Sequence, residues 1–471
     1  MKLKKIIATS LIAGILGMNY VPMCAVAVEE LNETQIIKEK KLSKKEKKAL
    51  AEKQNRINYL NIDWWEGYND TILMGYIFKA LENNQDLKIA TLKVEEARQS
   101  TKLQLSKELP QFSIGASPAL IKMPNVTNTM GVFSVPMIAS YEADIFLKNR
   151  DKTKSVKKLY EASQQQERAT YISIVSEVAA TYYNIVKLDE LISLQEELIN
   201  DRKEIYDLMK LANEEGIAST SDLVKADKAY IVAVSDLYDL KKAREIILNT
   251  LCVLIGESPA NAQDLQRISY NEINVEKIIP EKISSEVITS RPDYLVAQKM
   301  LEKSGIDVRV AKKEFLPTID ILGLLSFSVT SAAGSGGMSW RNAIAGGAGS
   351  VMLPLFTGGA KMANFKINKN RYEQALQNYQ KTNLTAIKEV NDALSRLKLD
   401  NEKYQKNLQA YDMEAQDFGF SQMKYDEGVI SNLDLLQRKE TLLVMKKMVA
   451  TTKTETLINH IGLYKAVAGN L

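Results

Sequence analysis

Between Ile387 and Phe418 the apolar residues are Ile387, Val390, Leu394, Leu397, Tyr404, Leu408, Tyr411, Ala415 and Phe418, with polar Asn401 in one place of the series. Steps of three and four alternate. That is the seam of a helix packed along a partner in coiled-coil fashion. The seam ends at Glu427-Gly428-Val429-Ile430-Ser431-Asn432-Leu433-Asp434-Leu435. Glycine supplies a turn there, and Ser431 or Asn432 can cap the next helix. A near copy, Glu215-Gly216-Ile217-Ala218-Ser219-Thr220-Ser221-Asp222-Leu223, lies 212 residues upstream, and Glu177-Val178 matches Glu389-Val390 at the same offset. The chain is therefore two copies of one long helical hairpin.

A helical pattern from Asp86 to Leu109 stops at Pro110, and Asp293 and Pro317 echo Asp86 and Pro110 at an offset of 207. After each proline the period changes. Ile319, Ile321, Leu325, Phe327 and Val329 share one face of a strand, and Thr318, Asp320, Ser326 and Ser328 the other, with Leu322 and Leu324 as exceptions. In the first copy Phe133, Val135, Met137, Ala139, Tyr141 and Ala143 alternate with Ser134, Ser140, Glu142 and Asp144. Turn-rich loops lie between the strands, at Pro124–Gly131 and Ser331–Gly349. Neither proline nor internal glycine interrupts Lys148 to Gly216, enough for a helix roughly 100 Å long.

The expected organisation follows. Residues 1–27 are a signal peptide and 28–62 a polar segment. The first repeat is 63–256, with strands at about 111–117 and 132–144. A connector spans 257–290, and the second repeat is 291–469, with strands at about 318–329 and 343–354. Asp70-Thr71 is expected to cap a helix over Ile72–Leu81, with Trp64 and Trp65 as packing anchors.

Charge changes the picture only at the start. Lys2, Lys4 and Lys5 precede the apolar Ile6–Met18 stretch, and Ala25-Val26-Ala27 is a small-x-small cleavage site, so export is expected. Cys24 raises lipid modification as a second possibility, although Met23 stands where a small residue is expected before it. The net charge of +4 includes the three signal lysines and makes no case for nucleic acid. One histidine and two cysteines exclude a rich His/Cys metal cluster. No catalytic constellation surrounds His460, no phosphate-binding glycine loop occurs, and no cofactor is implied.

Four amphipathic strands cannot seal themselves in lipid. An open edge leaves backbone groups unpaired at several kcal/mol each, and a spanning barrel needs at least ~8 strands. Either identical copies supply the rest, or the chain is a soluble, elongated coiled-coil scaffold with a small sheet. The expected fold class is mainly α with a β part: two tandem repeats, each a long helical hairpin plus a two-stranded β segment.

These features resemble the TolC-like outer-membrane efflux proteins, of the NodT-type branch. The matching pieces are Trp64-Trp65 with Asp70, Asn84-Gln85-Asp86-Leu87, Leu109-Pro110 and Asp144-Ile145-Phe146. In the second repeat they are Arg291-Pro292-Asp293, Leu316-Pro317, Leu353-Pro354-Leu355-Phe356-Thr357-Gly358-Gly359 and the Gly428–Leu435 tip. Where that branch has glycine after the first Asp-x-Phe, this chain has Leu147-Lys148.

The resemblance implies a homotrimer in the outer-membrane lipid, with a twelve-stranded β-barrel continued by a twelve-helix α-barrel in the periplasm. It implies a periplasmic adaptor protein and an inner-membrane transporter of the RND type as partners, and export of small molecules such as drugs. Protein secretion of type I uses the same architecture and stays open. The family's acidic constriction residue matches Asp434, its second acidic position falls on Gln437, and Asp222 is the first-repeat counterpart of Asp434. A ring of Asp434 carboxylates would disfavour anions. The plainer alternative is that Asp222 and Asp434 favour the first turn of the next helix. Gly216, Ser219, Gly428 and Ser431 shape the tips that an adaptor would meet.

Overall fold

The computed structural model describes residues 58–121, 130–273, 283–284, 286–330 and 343–469. The expected signal segment with Cys24, residues 28–57 of the polar segment, much of both turn-rich loops and residues 274–282 of the connector lie outside the described residues.

Short helices come first: α1 (Ile62–Glu66), α2 (Thr71–Asn83) and α3 (Gln85–Ser106). Asp70 caps α2, its Oδ1 accepting the Ile72 and Leu73 amides at 3.0 and 2.9 Å. Strands β1 (Gln111–Ile114), β2 (Ser117–Ile121) and β3 (Met130–Glu142) lead into α4 (Lys148–Glu214), which returns as α5 (Thr220–Ile255). Two 3₁₀ turns, Pro259–Asp264 and Tyr270–Glu272, belong to the connector. Then follow α6 (Glu286–Thr289), α7 (Pro292–Lys313), β4 (Thr318–Thr330), β5 (Ala343–Met352), α8 (Ala360–Asp426) and α9 (Asn432–Ala466).

The internal repeat is visible in the boundaries. Helices α4 and α8 are both 67 residues long, and each end of α8 lies 212 positions after the matching end of α4. Helices α3 and α7 are both 22 residues long, offset by 207. The five-residue change of offset accumulates in the strand region.

The sheet is an antiparallel ladder in the order β1–β3–β4–β5, with β2 also on β3. The strand expected at 111–117 is two strands instead. Gln111 faces Ser140 and Ser117 faces Ser134, which is one uninterrupted register. Gly115 falls opposite Pro136 and donates its amide to the Pro136 carbonyl at 2.9 Å. Proline has no N–H to return the bond, so the ladder lapses at that rung. The outer edges of β1/β2 and of β5 have no strand partner among the described residues.

Phe112, Ile114, Leu120, Phe133, Val135, Met137, Ile321, Leu325, Phe327 and Val351 share one face by register. Ser113, Ser117, Ser134, Ser140, Ser326, Ser328 and Ser350 share the other. Several of the apolar residues are exposed, including Phe112, Ile114, Leu120 and Val351.

The chain divides into two compact units, each drawing on both repeats. One comprises Met1–Leu87, Arg168–Ile283 and Glu389–Leu471; the other comprises Lys88–Glu167 and Ser284–Lys388. The first unit holds the main core, in which Trp65, Leu73, Tyr182, Tyr183, Leu251, Ile255, Leu457 and Tyr464 are buried. Trp64 stacks on Tyr464, with ring centroids 4.5 Å apart, which joins the two ends of the described chain. The tryptophans are the packing anchors expected of them. Of the predicted 387–418 seam, Val390 and Leu397 are buried, Leu394, Tyr404, Leu408, Tyr411, Ala415 and Phe418 are half-buried and Ile387 is exposed; in the first repeat Val178, Ile185, Ile192, Ala226, Ala233 and Leu251 are buried.

In the second unit α4 meets α7 through charge. Asp151 pairs with Lys313 at 2.7 Å, the Ser155 hydroxyl donates to Asp307 at 2.5 Å, and Lys158 pairs with Glu302 at 2.9 Å.

Candidate functional site: the two hairpin tips

Each long helix ends in the same way. Gly216 and Gly428 take left-handed backbone, φ +72° and +73°. The Ile217 amide reaches back to the Ala212 carbonyl (2.8 Å), and the Val429 amide to that of Lys424 (2.7 Å). This is a Schellman closure, which needs a residue free of Cβ strain at the glycine. Ile217 and Val429 are then thrown out into solvent, at 82% and 67% exposure.

The next helix starts on a serine. The Ser219 hydroxyl accepts the Asp222 amide (3.2 Å) and donates to the Asp222 carboxylate (2.7 Å). Ser431 does the same with Asp434, at 3.1 and 2.7 Å, and its own amide donates to Asp434 Oδ2 at 3.2 Å. The second tip is thus a full capping box. These bonds, the Ser431 hydroxyl first, hold the Asp434 carboxyl below the usual carboxylate range. The Ser219 hydroxyl and then Lys225 do so for Asp222. Both carboxylates are exposed and ionised at neutral pH.

Gln437 is exposed one helical turn after Asp434. No hydrogen bond or ion pair joins Asp222 to Asp434 or to Gln437. The single chain therefore presents two separate acidic tips. The local role that the plainer alternative assigned to these carboxylates is present at both.

What sequence inspection missed is the link between α4 and α9 just above the tips. Asn432 donates to Glu204 (2.7 Å), Lys439 pairs with Asp201 (2.8 Å) and Glu197 (3.1 Å), and Arg202 pairs with Glu440 (2.9 Å). Leu194, Leu198 and Leu443 form a small buried cluster beside them. The alternation of charges along each helix was readable, but the register of two helices more than 200 residues apart was not. Among the described residues no group of His, Cys, Asp and Glu is arranged to hold a metal ion, and no helix is long and apolar enough to cross a membrane.

The chain has known relatives along most of its length. The toluene efflux pump outer membrane protein TtgC of Pseudomonas putida is 26% identical over 420 residues, 86% of this chain and 84% of that one. The cation efflux system protein CusC of Escherichia coli O157:H7 is 27% identical over 422 residues, 88% and 89% of the two chains. The crystal structure of the Campylobacter jejuni CmeC outer membrane channel matches with a TM-score of 0.79 and 25% identity, covering 88% of this chain and 89% of that one. The family model for outer membrane efflux proteins matches residues 76–257 and 283–469, one stretch in each repeat. With that match over both halves, and the fold described above, this chain belongs to the outer membrane efflux protein family.

Proposed function

We propose that the protein is the outer-membrane exit duct of a tripartite efflux system, exporting small molecules. It resides in the outer membrane, as its family does, with helices extending into the periplasm. The observation that carries this reading is the sheet. Among the described residues it has one apolar face, one serine-rich face and two edges without a strand partner. In hydrocarbon an open edge is untenable, so copies of the same chain must supply the missing neighbours. Three copies, joined edge to edge, give a closed twelve-stranded barrel whose serine-rich face lines water.

A periplasmic adaptor and an inner-membrane transporter of the RND type complete the system and provide the energy; the duct itself performs no chemistry. The tips at Gly216, Ser219, Gly428 and Ser431 are the adaptor-facing surface. Asp434, with Gln437 beside it and Asp222 at the other tip, sets the charge at the periplasmic mouth. The resemblance to TtgC and CusC, named for toluene and cation efflux, favours small-molecule cargo over secreted protein.

Two measurements test this. A periplasmic scaffold would leave membranes on washing with salt, whereas the duct requires detergent. In planar bilayers the purified protein should conduct. Asp434→Ala should raise its conductance or weaken block by multivalent cations. If neither changes, Asp434 is only a helix cap.

A further inference from the structure

Besides Met352 at the end of β5, the serine-rich face of the sheet exposes four more large apolar side chains. These are Ile138, Leu322, Leu324 and Ile344, and all are exposed, Leu322 at 46% and Ile344 at 62%. The register gathers them into one patch. Ile138 is directly opposite Leu324, Leu322 is two residues from Leu324 on the same strand, and Ile344 is diagonal to Leu324 across the β4–β5 ladder. On β5 the residues facing Leu324 and Leu322 are small, Gly346 and Ala348. A Cβ built on Gly346 would meet nothing within 4 Å. The leucines therefore stand beside open space on this face.

Charge borders the patch on one side. One step further along the same face, Glu142 and Asp320 are directly opposite one another. Glu142 is neutralised by Lys148 at 2.6 Å. Asp320 is exposed and forms no ion pair among the described residues. The same face thus offers, in order along β4, a carboxylate and then two leucines about 7 Å apart.

We infer that this patch is a binding belt for amphipathic organic cations on their way through the barrel. The apolar body lies against Leu322, Leu324, Ile138 and Ile344, and the cationic group sits by Asp320. The fold has no need of leucine there, because a water-facing position is served equally well by serine, as at the flanking Ser326 and Ser140. An exposed apolar patch rimmed by a charge is the signature of a ligand surface. The inference rests on the duct reading, since only in a closed barrel does this face line the pore.

The test is block of single channels by tetraphenylphosphonium added to purified protein in planar bilayers, with tetramethylammonium and benzenesulfonate as controls. Tetraphenylphosphonium should block at far lower concentration than either control. The double variant Leu322→Ser/Leu324→Ser should raise its half-blocking concentration on the order of tenfold, by loss of apolar contact. Potassium conductance, which also reports correct folding, should persist. Asp320→Asn should weaken block by the cation and leave a neutral aromatic solute unaffected. Leu324→Thr, a β-branched replacement suited to a strand, serves if the double variant does not insert. Equal block by tetraphenylphosphonium and tetramethylammonium in a conducting channel overturns the belt and leaves the duct standing. Block unchanged in the serine variant does the same. A protein that never conducts overturns both.

Discussion

Leu147 holds φ +56°, where the equivalent residue of the second repeat is Gly359 at φ +84°. A side chain in left-handed backbone costs about 1–2 kcal/mol. The first repeat offsets this with a cap the second lacks: Asp144 accepts the amides of Lys148, Asn149 and Arg150, at 2.6, 3.1 and 2.8 Å. Phe356 stands at the corresponding place in the second repeat, and two glycines follow shortly after it. Leu147→Gly should therefore raise stability by up to about 1 kcal/mol, the relieved strain less the entropy that glycine adds to the unfolded chain. A higher midpoint of thermal unfolding in detergent is the expected result; a lower one would mean that the Leu147 side chain packs usefully. At the tips, Ser431→Ala removes a cap and should cost about 1 kcal/mol. The Asp434 carboxyl is held low by Ser431. Its contribution is complete above the ordinary carboxylate range and is lost as pH falls through the depressed folded value. The Ser431→Ala variant should accordingly lose less stability than the wild type on acidification to pH 3, which paired thermal melts would show. Sequence inspection marked Leu147 as the departure from the family pattern, and only the backbone angle shows that the left-handed turn is kept without its glycine.

Among the elements, the helices were the most legible. A 3-4 apolar rhythm, a terminal glycine and a following serine are local signals, so the ends of α4, α5, α8 and α9 lie close to where the pattern puts them. The strands were legible as faces rather than as pieces. The lapse at Gly115 depends on which residue of β3 stands opposite, and Pro136 is in register there only once the sheet has formed. The ionic contact between α4 and α7 was not legible at all, because the pairing of two helices cannot be read from either alone. It makes its own prediction. Burial works to raise the Asp151 carboxyl, but Lys313 at 2.7 Å outweighs it, so the group sits below the usual carboxylate range. Stability from this pair is whole at neutral pH and is lost in acid as the carboxylate takes up its proton. Asp151→Asn should lower the melting temperature at pH 7 and flatten its fall below pH 4. An equally steep acid limb in the variant would place the acid sensitivity elsewhere.

For the whole molecule, the two-faced sheet is the element that demands company. Its apolar face suits hydrocarbon, its serine face suits water, and its two edges suit neither. The tips could be located from sequence, but the proposed ring of Asp434 carboxylates needs several chains, and one chain shows only the two tips. The most direct test of the account is the mass of the particle extracted from membranes in mild detergent, read by native mass spectrometry. Three chains per particle is the predicted result. A single chain that keeps its sheet folded in the absence of detergent would contradict it.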